Sequence, residues 1–282
     1  MLVVKSFGGL GNQIFQYLFY EYLKLDNDDV YFDISDFKVH NHHYGFELDK
    51  VFNVDFDIPS KNLNNIHYND LSFFYRIFCK LFDAELTKKN EFVERTGALV
   101  LNRTSFKRDL YFKGFWQNSH YVKECSHVKL HFKNKLSGKN RELLERLKDC
   151  DTVSLHIRGG DYINNSSLGA VCTKKYYREA ISHIKKQISS PVFLVFSDDV
   201  EYARTILADE GQVNYVTWNT GEDSSKDMQL MASCKHNIIA NSSFSWWAAW
   251  LNPNPRKKVV MPAIWFNGQS YNPLKVDGWL TL

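Results

Sequence analysis

The stretch Thr152-Val153-Ser154-Leu155-His156-Ile157-Arg158-Gly159-Gly160-Asp161-Tyr162 decides how this chain folds. An apolar run ends in polar residues and a glycine pair, the pattern of a strand that delivers side chains to its carboxyl end. In an open parallel sheet, ligands bind just outside those carboxyl ends. Arg158 has two readings there. Its planar, permanently charged guanidinium can hold a phosphate through two parallel hydrogen bonds, with the glycines leaving room for the approach. Alternatively, Arg158 and Asp161 form an ion pair at the strand end and nothing more.

Working outward, strand and helix alternate with short connections from residue 151 on. Thr173 is suited to cap a helix over 174–188, Pro191 precedes a strand over 192–197, and 200–207 reads as helix. Residues 213–217 read as extended, 227–234 as helix, 237–240 as strand, 243–251 as helix and 258–261 as a closing strand. This alternation predicts a doubly wound parallel sheet. Toward the N-terminus, Leu2 to Ser6, the turn Phe7-Gly8-Gly9-Leu10-Gly11-Asn12-Gln13 and an aromatic segment to Leu25 read as strand, turn and helix, with a second strand over Val30 to Asp33. The fold class expected is therefore α/β, with two Rossmann-like lobes facing a cleft. Residues 1–145 form the first lobe and 146–282 the doubly wound second, the boundary falling where Lys, Asn and Gly gather at 134–150. Residues 36–70 are polar and give little periodic signal, so loops with short elements are expected. Leu71 to Phe82 has apolar residues at helical spacing; it is either a core-facing helix or a basic aromatic helix resting on a membrane surface.

With 282 residues, 44% of them hydrophobic and 15% aromatic, the chain can bury a large core in two domains of ordinary size. A formal net charge of +3 implies no general affinity for nucleic acid, so any anion site must be local. Five cysteines, Cys79, Cys125, Cys150, Cys172 and Cys234, have no C-x-x-C pair, which fits reduced thiols and a cytoplasmic protein. The N-terminus carries no basic-then-apolar signal, and no span of about 20 apolar residues occurs. Neither secretion by the usual route nor a membrane-spanning segment is expected.

Four constellations fall where such a fold places its ligand. Gly8-Gly9-Leu10-Gly11-Asn12-Gln13 lacks both the dinucleotide fingerprint and the P-loop lysine. It is a tight turn, or a loop that offers backbone N–H groups and the Asn12 side chain to a phosphate or sugar. The second is the Arg158 stretch. In Ser197-Asp198-Asp199, helix capping accounts for one acid without any function, and little functional weight falls on it. Asn241-Ser242-Ser243-Phe244-Ser245-Trp246-Trp247-Ala248-Ala249-Trp250 gathers hydroxyls and free N–H groups at the start of the helix over 243–251, a ready anion site. Its tryptophans read as packing. Asp227 caps the preceding helix or faces the same crevice. The pairs Asp26 and Asp28, and Asp55 and Asp57, with His40, His42 and His43, read as surface residues, so no metal site is expected.

Taken together, the glycine turn, His156 to Tyr162, Phe196 to Asp199, and Asp227 through Trp250 resemble the bacterial α-1,2-fucosyltransferases of glycosyltransferase family 11, and Phe112 to Asn118 is similar to a fifth family segment. That resemblance implies a two-lobed GT-B type fold, GDP-fucose as donor, inversion at the anomeric carbon, and no metal or other cofactor. It also implies a galactose acceptor in a surface glycan of the O-antigen kind. The small net charge adds the expectation of no nucleic-acid partner, and the alternative reading of Leu71 to Phe82 that of a lipid-linked acceptor met in peripheral contact with a bacterial inner membrane. Arg158 and the helix start at Ser242 and Ser243 would hold the pyrophosphate, and Asp227 would read guanine, with His156 a second base or ribose contact. Asn12 would face fucose and acceptor, and Gly9, Gly11, Gln13, Asn241 and Phe244 would complete the donor site. Asp161 is expected as base or as the group that orients Arg158. No other general base is evident. One departure is plain: relatives usually carry two adjacent arginines where this chain has Arg158-Gly159. An arginine restored at 159 is therefore expected to add a second cation near the diphosphate; the alternative is a positive φ that only glycine tolerates, where the same change would destabilise the fold and gain nothing.

Overall fold

The computed structural model describes residues 1–39, 44–59, 90–94, 100–102, 105–106, 109–163 and 165–282. The expected helix over Leu71 to Phe82 and the histidines His40, His42 and His43 lie outside the described residues. The chain divides into two compact units, Met1–Lys133 and Asn134–Leu282.

In the first unit, β1 (Leu2–Lys5), β2 (Val30–Asp33), β3 (Glu91–Val93) and β4 (Leu110–Lys113) form a parallel sheet of order β2-β1-β4-β3. The helix Leu10–Lys24 crosses over from β1 to β2 and is buried along most of its length. Its aromatic side chains build the core: Phe19 stacks on Trp116 with ring centroids 3.7 Å apart and planes 4° from parallel. Such a ring pair adds about 1 kcal/mol to the area it buries. The polar region beyond β2 contributes the short helices Asp36–Val39 and Leu48–Val51, as the absence of periodicity suggested.

The second unit holds six strands, every pair parallel, in the order β10-β9-β8-β5-β6-β7. These are β5 (Asp151–Ile157), β6 (Pro191–Ser197), β7 (Asn214–Tyr215), β8 (His236–Ile238), β9 (Val259–Met261) and β10 (Leu280–Thr281). Residues 152 to 157 are all buried, as befits an inner strand covered on both faces. The Thr173 hydroxyl accepts from the Tyr176 N–H at 3.4 Å and caps the helix Lys174–Gln187, as predicted. Trp246 and Trp247 of the helix Ser243–Leu251 are fully buried, and the Trp246 indole N–H donates to the Leu274 carbonyl at 2.9 Å. Lys257 closes that helix by donating to the carbonyls of Ala249, Trp250 and Asn252. The helix Gly138–Arg146 falls with this unit, because Asn140 on it bonds to Trp218 and Asn219.

The chain leaves β5 toward β6 and β7, then returns to β8 on the other flank and continues outward to β9 and β10. The strand order therefore reverses between β5 and β8, the position where open α/β sheets bind ligands. No described helix is long and apolar enough to cross a membrane, and the described cysteines are free thiols.

Candidate functional site

The register of β5 against β6 sets Ile157 opposite Ser197, so the next residues, Arg158 and Asp198, emerge side by side at the carboxyl end of the sheet. Arg158 Nη1 lies 3.0 Å from Asp198 Oδ2, and Nη2 donates to Asp161 Oδ1 at 2.7 Å. Asp198 Oδ1 also accepts from the Gly159 N–H at 2.9 Å. The guanidinium lies 5.1 Å from the centre of the Tyr162 ring, and the Tyr162 hydroxyl donates to the Asn241 carbonyl at 3.3 Å. That last bond ties the turn after β5 to the segment after β8, across the point where the strand order reverses.

Both readings of Arg158 meet here. It does form the ion pair, yet it does so at the ligand-binding position of the sheet and with two acids rather than one. Two carboxylates on one guanidinium leave no free fork for a phosphate, so a diphosphate would have to displace one of them. Asp161, 62% exposed on the short turn Gly160–Tyr162, is the easier to displace; Asp198 is 27% exposed and held also by the Gly159 N–H. Arg158 Nε and His156 Nδ1 are sealed from solvent without partners, the kind of orphaned polar atom that calls for an explanation in a native fold. Burial first, and the Arg158 charge second, pull the His156 pKa down to about 3, so its imidazole is neutral at pH 7. The Phe244 ring lies 6.2 Å from it.

Ser242 precedes the helix Ser243–Leu251, and its carbonyl accepts from the Trp246 N–H at 3.0 Å. Asn241 fixes the approach by donating its amide to the carbonyls of Leu168 and Trp265. Ser243 and Phe244 are half-buried at the helix start. Asp227 belongs to a different hydrogen-bond network. Its Oδ1 accepts from Asn219 at 2.6 Å, and Asn219 exchanges two bonds with Asn140, which also accepts from the Trp218 indole. Burial pushes the Asp227 pKa up to about 7, the Asn219 bond opposing.

In the first unit, the turn after β1 is fastened by neutral amides. Gly8 has φ +79°, a conformation that suits glycine, and Gly9 precedes the helix Leu10–Lys24 with no side-chain cap. Gln13, fully buried, donates to the carbonyls of Gly8 and Gly45 and accepts from the N–H groups of Glu47 and Leu48. Gln16, three residues on, accepts from the Ser6 hydroxyl and the Phe7 N–H and donates to the Gly114 carbonyl. Asn12 Oδ1 accepts from Gln117 at 2.8 Å, which joins the glycine turn to the Phe112 to Asn118 segment. Gly11 is buried within the helix.

Two readings need correction. Asp199 caps the helix Val200–Ile206 by accepting from the Tyr202 N–H, as one acid of the pair was expected to, but Asp198 is a partner of Arg158 rather than a residue of little weight. Strand register carried that signal, since parallel pairing sets equal offsets side by side. Tyr162, for which the sequence offers no role, lies against the guanidinium. Gly159 has φ −107°, so the left-handed region is not what restricts it. Instead, a Cβ there would lie 2.8 Å from Asp199 Cβ and 2.9 Å from Tyr202 Cδ1. The position has no room for an arginine, and the expected second cation is withdrawn. Of the acids read as surface residues, Asp28, Asp55 and Asp57 are exposed and Asp26 is half-buried. Among the described residues, no three His, Cys, Asp or Glu side chains gather as a metal-binding group.

The chain is similar in sequence and in fold to known proteins. The sequence model of glycosyl transferase family 11 matches residues 76–275. Over 96% of its length the chain is 34% identical to 94% of an α-1,2-colitosyltransferase of Escherichia coli. Over 98% it is 34% identical to 98% of the O-antigen biosynthesis glycosyltransferase WbnK, also of Escherichia coli. Among solved structures, fucosyltransferase NodZ from Bradyrhizobium shares the fold, with a TM-score of 0.52 at 12% identity over 89% of this chain and 93% of that one.

Proposed function

We propose, for a chain that belongs to glycosyl transferase family 11 and is therefore a glycosyltransferase, that it moves L-fucose from GDP-fucose to the 2-hydroxyl of a galactose unit in a surface glycan, with inversion and without a metal ion. The observation that carries this reading is the end-to-end identity to a transferase named for the α-1,2 linkage. The name of the second relative supports an O-antigen acceptor. The two α/β units are proposed to be the lobes of a GT-B type enzyme, the second taking the donor and the first the acceptor.

In an inverting transfer, the acceptor oxygen attacks the anomeric carbon on the face opposite the diphosphate, and the bond from that carbon to the phosphate oxygen breaks. Negative charge then grows on the departing GDP. Without a metal ion, it is held by the guanidinium of Arg158, once a carboxylate has moved aside, and by the N–H groups at the Ser242 and Ser243 helix start. Tyr162 supports Arg158 from the ring side. Asp227 presents a carboxylate to the paired N–H donors of guanine. His156, held neutral, serves as a second contact to the base or the ribose. Gly9 and Asn12 line the sugar side, framed by Gln13, while Asn241 and Phe244 shape the donor side; Gly11, buried within the helix, serves packing instead.

A second reading keeps the reaction and changes the sugar, since one relative is named for colitosyl transfer. Incubating the purified chain in excess EDTA with a galactoside and either GDP-fucose or GDP-colitose, and locating the new linkage by NMR, tests both. A 2-linked product is expected. No product from either donor, or product only after magnesium or manganese is added, contradicts the proposal.

A further inference from the structure

A phosphate that replaces Asp161 on Arg158 does so at Nη2, which releases one of the two ionic holds on the guanidinium. Asp198 keeps only Nη1. A long arginine side chain held at one corner regains much of its rotamer freedom, and its planar fork then loses the geometry that suits a phosphate. A contact with the face of the plane would hold the group without using any of its in-plane donors. The Tyr162 ring supplies one, with its centre 5.1 Å from the guanidinium carbon.

Tyr162 ends the short turn Gly160–Tyr162 between exposed Asp161 and exposed Ile163, and a closed circuit of hydrogen bonds fixes it there. Its N–H donates to the Gly159 carbonyl at 2.8 Å, and its carbonyl accepts from the Asn165 N–H at 3.0 Å. The Asn165 carbonyl in turn accepts from the Gly169 N–H at 2.7 Å. Only glycine fits at 169, since a Cβ there would lie 2.5 Å from the Tyr162 carbonyl oxygen and 2.8 Å from that of Asn165. The adjacent Leu168 carbonyl accepts from the Asn241 amide at 3.0 Å, and the Asn241 carbonyl accepts from the Tyr162 hydroxyl at 3.3 Å, which closes the circuit. Burial pushes the Tyr162 hydroxyl up to about 12, so at pH 7 it remains a donor. Asn241 directly precedes Ser242, so the same tether sets the distance from the Arg158 cation to the chain beyond the strand reversal.

We infer that Tyr162 is a positioning residue: tethered through Asn241, its ring keeps the Arg158 guanidinium oriented while a diphosphate displaces Asp161. The inference rests on the diphosphate site proposed above, and it needs only residues of the second unit.

Tyr162→Leu removes the ring and its tether and leaves both acids in place. GDP affinity, read by titration calorimetry, should fall about tenfold. A merely structural role would cost the same factor whichever cation stood at position 158. Orientation of a plane would not, because an ammonium has no plane to hold; in an Arg158→Lys background the same change should cost less than about twofold. An equal loss in both backgrounds, or no loss in the wild-type background, overturns the inference. Should Tyr162→Leu not fold, Tyr162→Phe decides. With the ring untethered from Asn241, GDP affinity should fall about threefold beside Arg158 and stay unchanged in the Arg158→Lys background; equal effects in the two, including none, overturn the role. A wild-type chain that binds no GDP overturns the diphosphate reading and this inference together, whereas GDP binding with losses that simply multiply overturns the role of Tyr162 alone.

Discussion

The turns after β1 and β5 look alike in sequence, each a glycine pair beyond an inner parallel strand, and they are built from opposite materials. After β1, neutral amides fasten the backbone: Gln13 and Gln16 make hydrogen bonds at both ends of their side chains. After β5, charges compete for one another: Arg158 is shared by Asp161 and Asp198, and His156 beside it is held neutral. Buried neutral bonds contribute about 1 kcal/mol each and are costly to leave unmade. Partly exposed ion pairs contribute about 1 kcal/mol or less and can be exchanged for others. The first turn is a fixed frame, while the second is a cluster whose partners a charged ligand can replace.

That contrast should break first at Arg158. Arg158→Lys puts a point charge where a planar fork is needed, and kcat/KM should drop about 100-fold or more, some 3 kcal/mol, while the melting temperature barely moves. Near-normal turnover would remove Arg158 from the diphosphate. Gln16→Ala should show the reverse signature. The Phe7 N–H, the Ser6 hydroxyl and the Gly114 carbonyl lose their partner, so unfolding free energy should fall by about 2 to 3 kcal/mol in denaturant titration, with GDP binding intact. A stability equal to wild type would show that the frame is not held this way. Gly159→Arg should lose about 1 to 3 kcal/mol from overpacking against Asp199 and Tyr202 and gain no donor affinity. A lower donor KM at an unchanged melting temperature would show that the turn yields to the side chain.

The smallest effect expected is at Asp227, where charge and burial conflict. Its folded pKa of about 7 lies above the ordinary 3.8, so this group favours the fold at low pH, and that contribution is lost as pH rises through about 7. Asp227→Asn should therefore melt no lower than wild type at pH 8. If the carboxylate accepts from guanine, wild-type GDP affinity should strengthen from pH 6 to pH 8, while the variant stays flat and binds about tenfold more weakly at pH 8, one lost charged hydrogen bond. Equal affinities at pH 8 would return Asp227 to holding Asn219.

The second unit was largely legible from sequence because its main helices and the strands β5 and β6 are long enough to show their period. The helix Ser243–Leu251 falls where the serine start and apolar run placed it, and Thr173 caps as its spacing implied. Strand β4, Leu110–Lys113, carries no alternation and is a strand because β1 and β3 pair with it; β10 is two residues long. At the sites, residues that act through local sequence were visible and those that act through pairing were not. Asp198 reaches Arg158 only by the register of β6 on β5. Gln13, which fastens the glycine turn, reaches the Glu47 N–H across 34 residues of sequence. The conflict at Gly159 comes from Asp199 and Tyr202, at and beyond the end of the neighbouring strand β6.

The central claim is that the cluster after β5 belongs to a guanosine diphosphate site, and nucleotide selectivity tests it most directly. GDP, UDP and ADP would each be titrated into the wild-type chain in EDTA, with binding heat and melting temperature recorded. GDP alone should bind, and at about a hundredfold excess over its Kd it should stabilise the fold by about 2.7 kcal/mol. UDP or ADP binding as tightly as GDP, or no binding of GDP at all, would contradict the account.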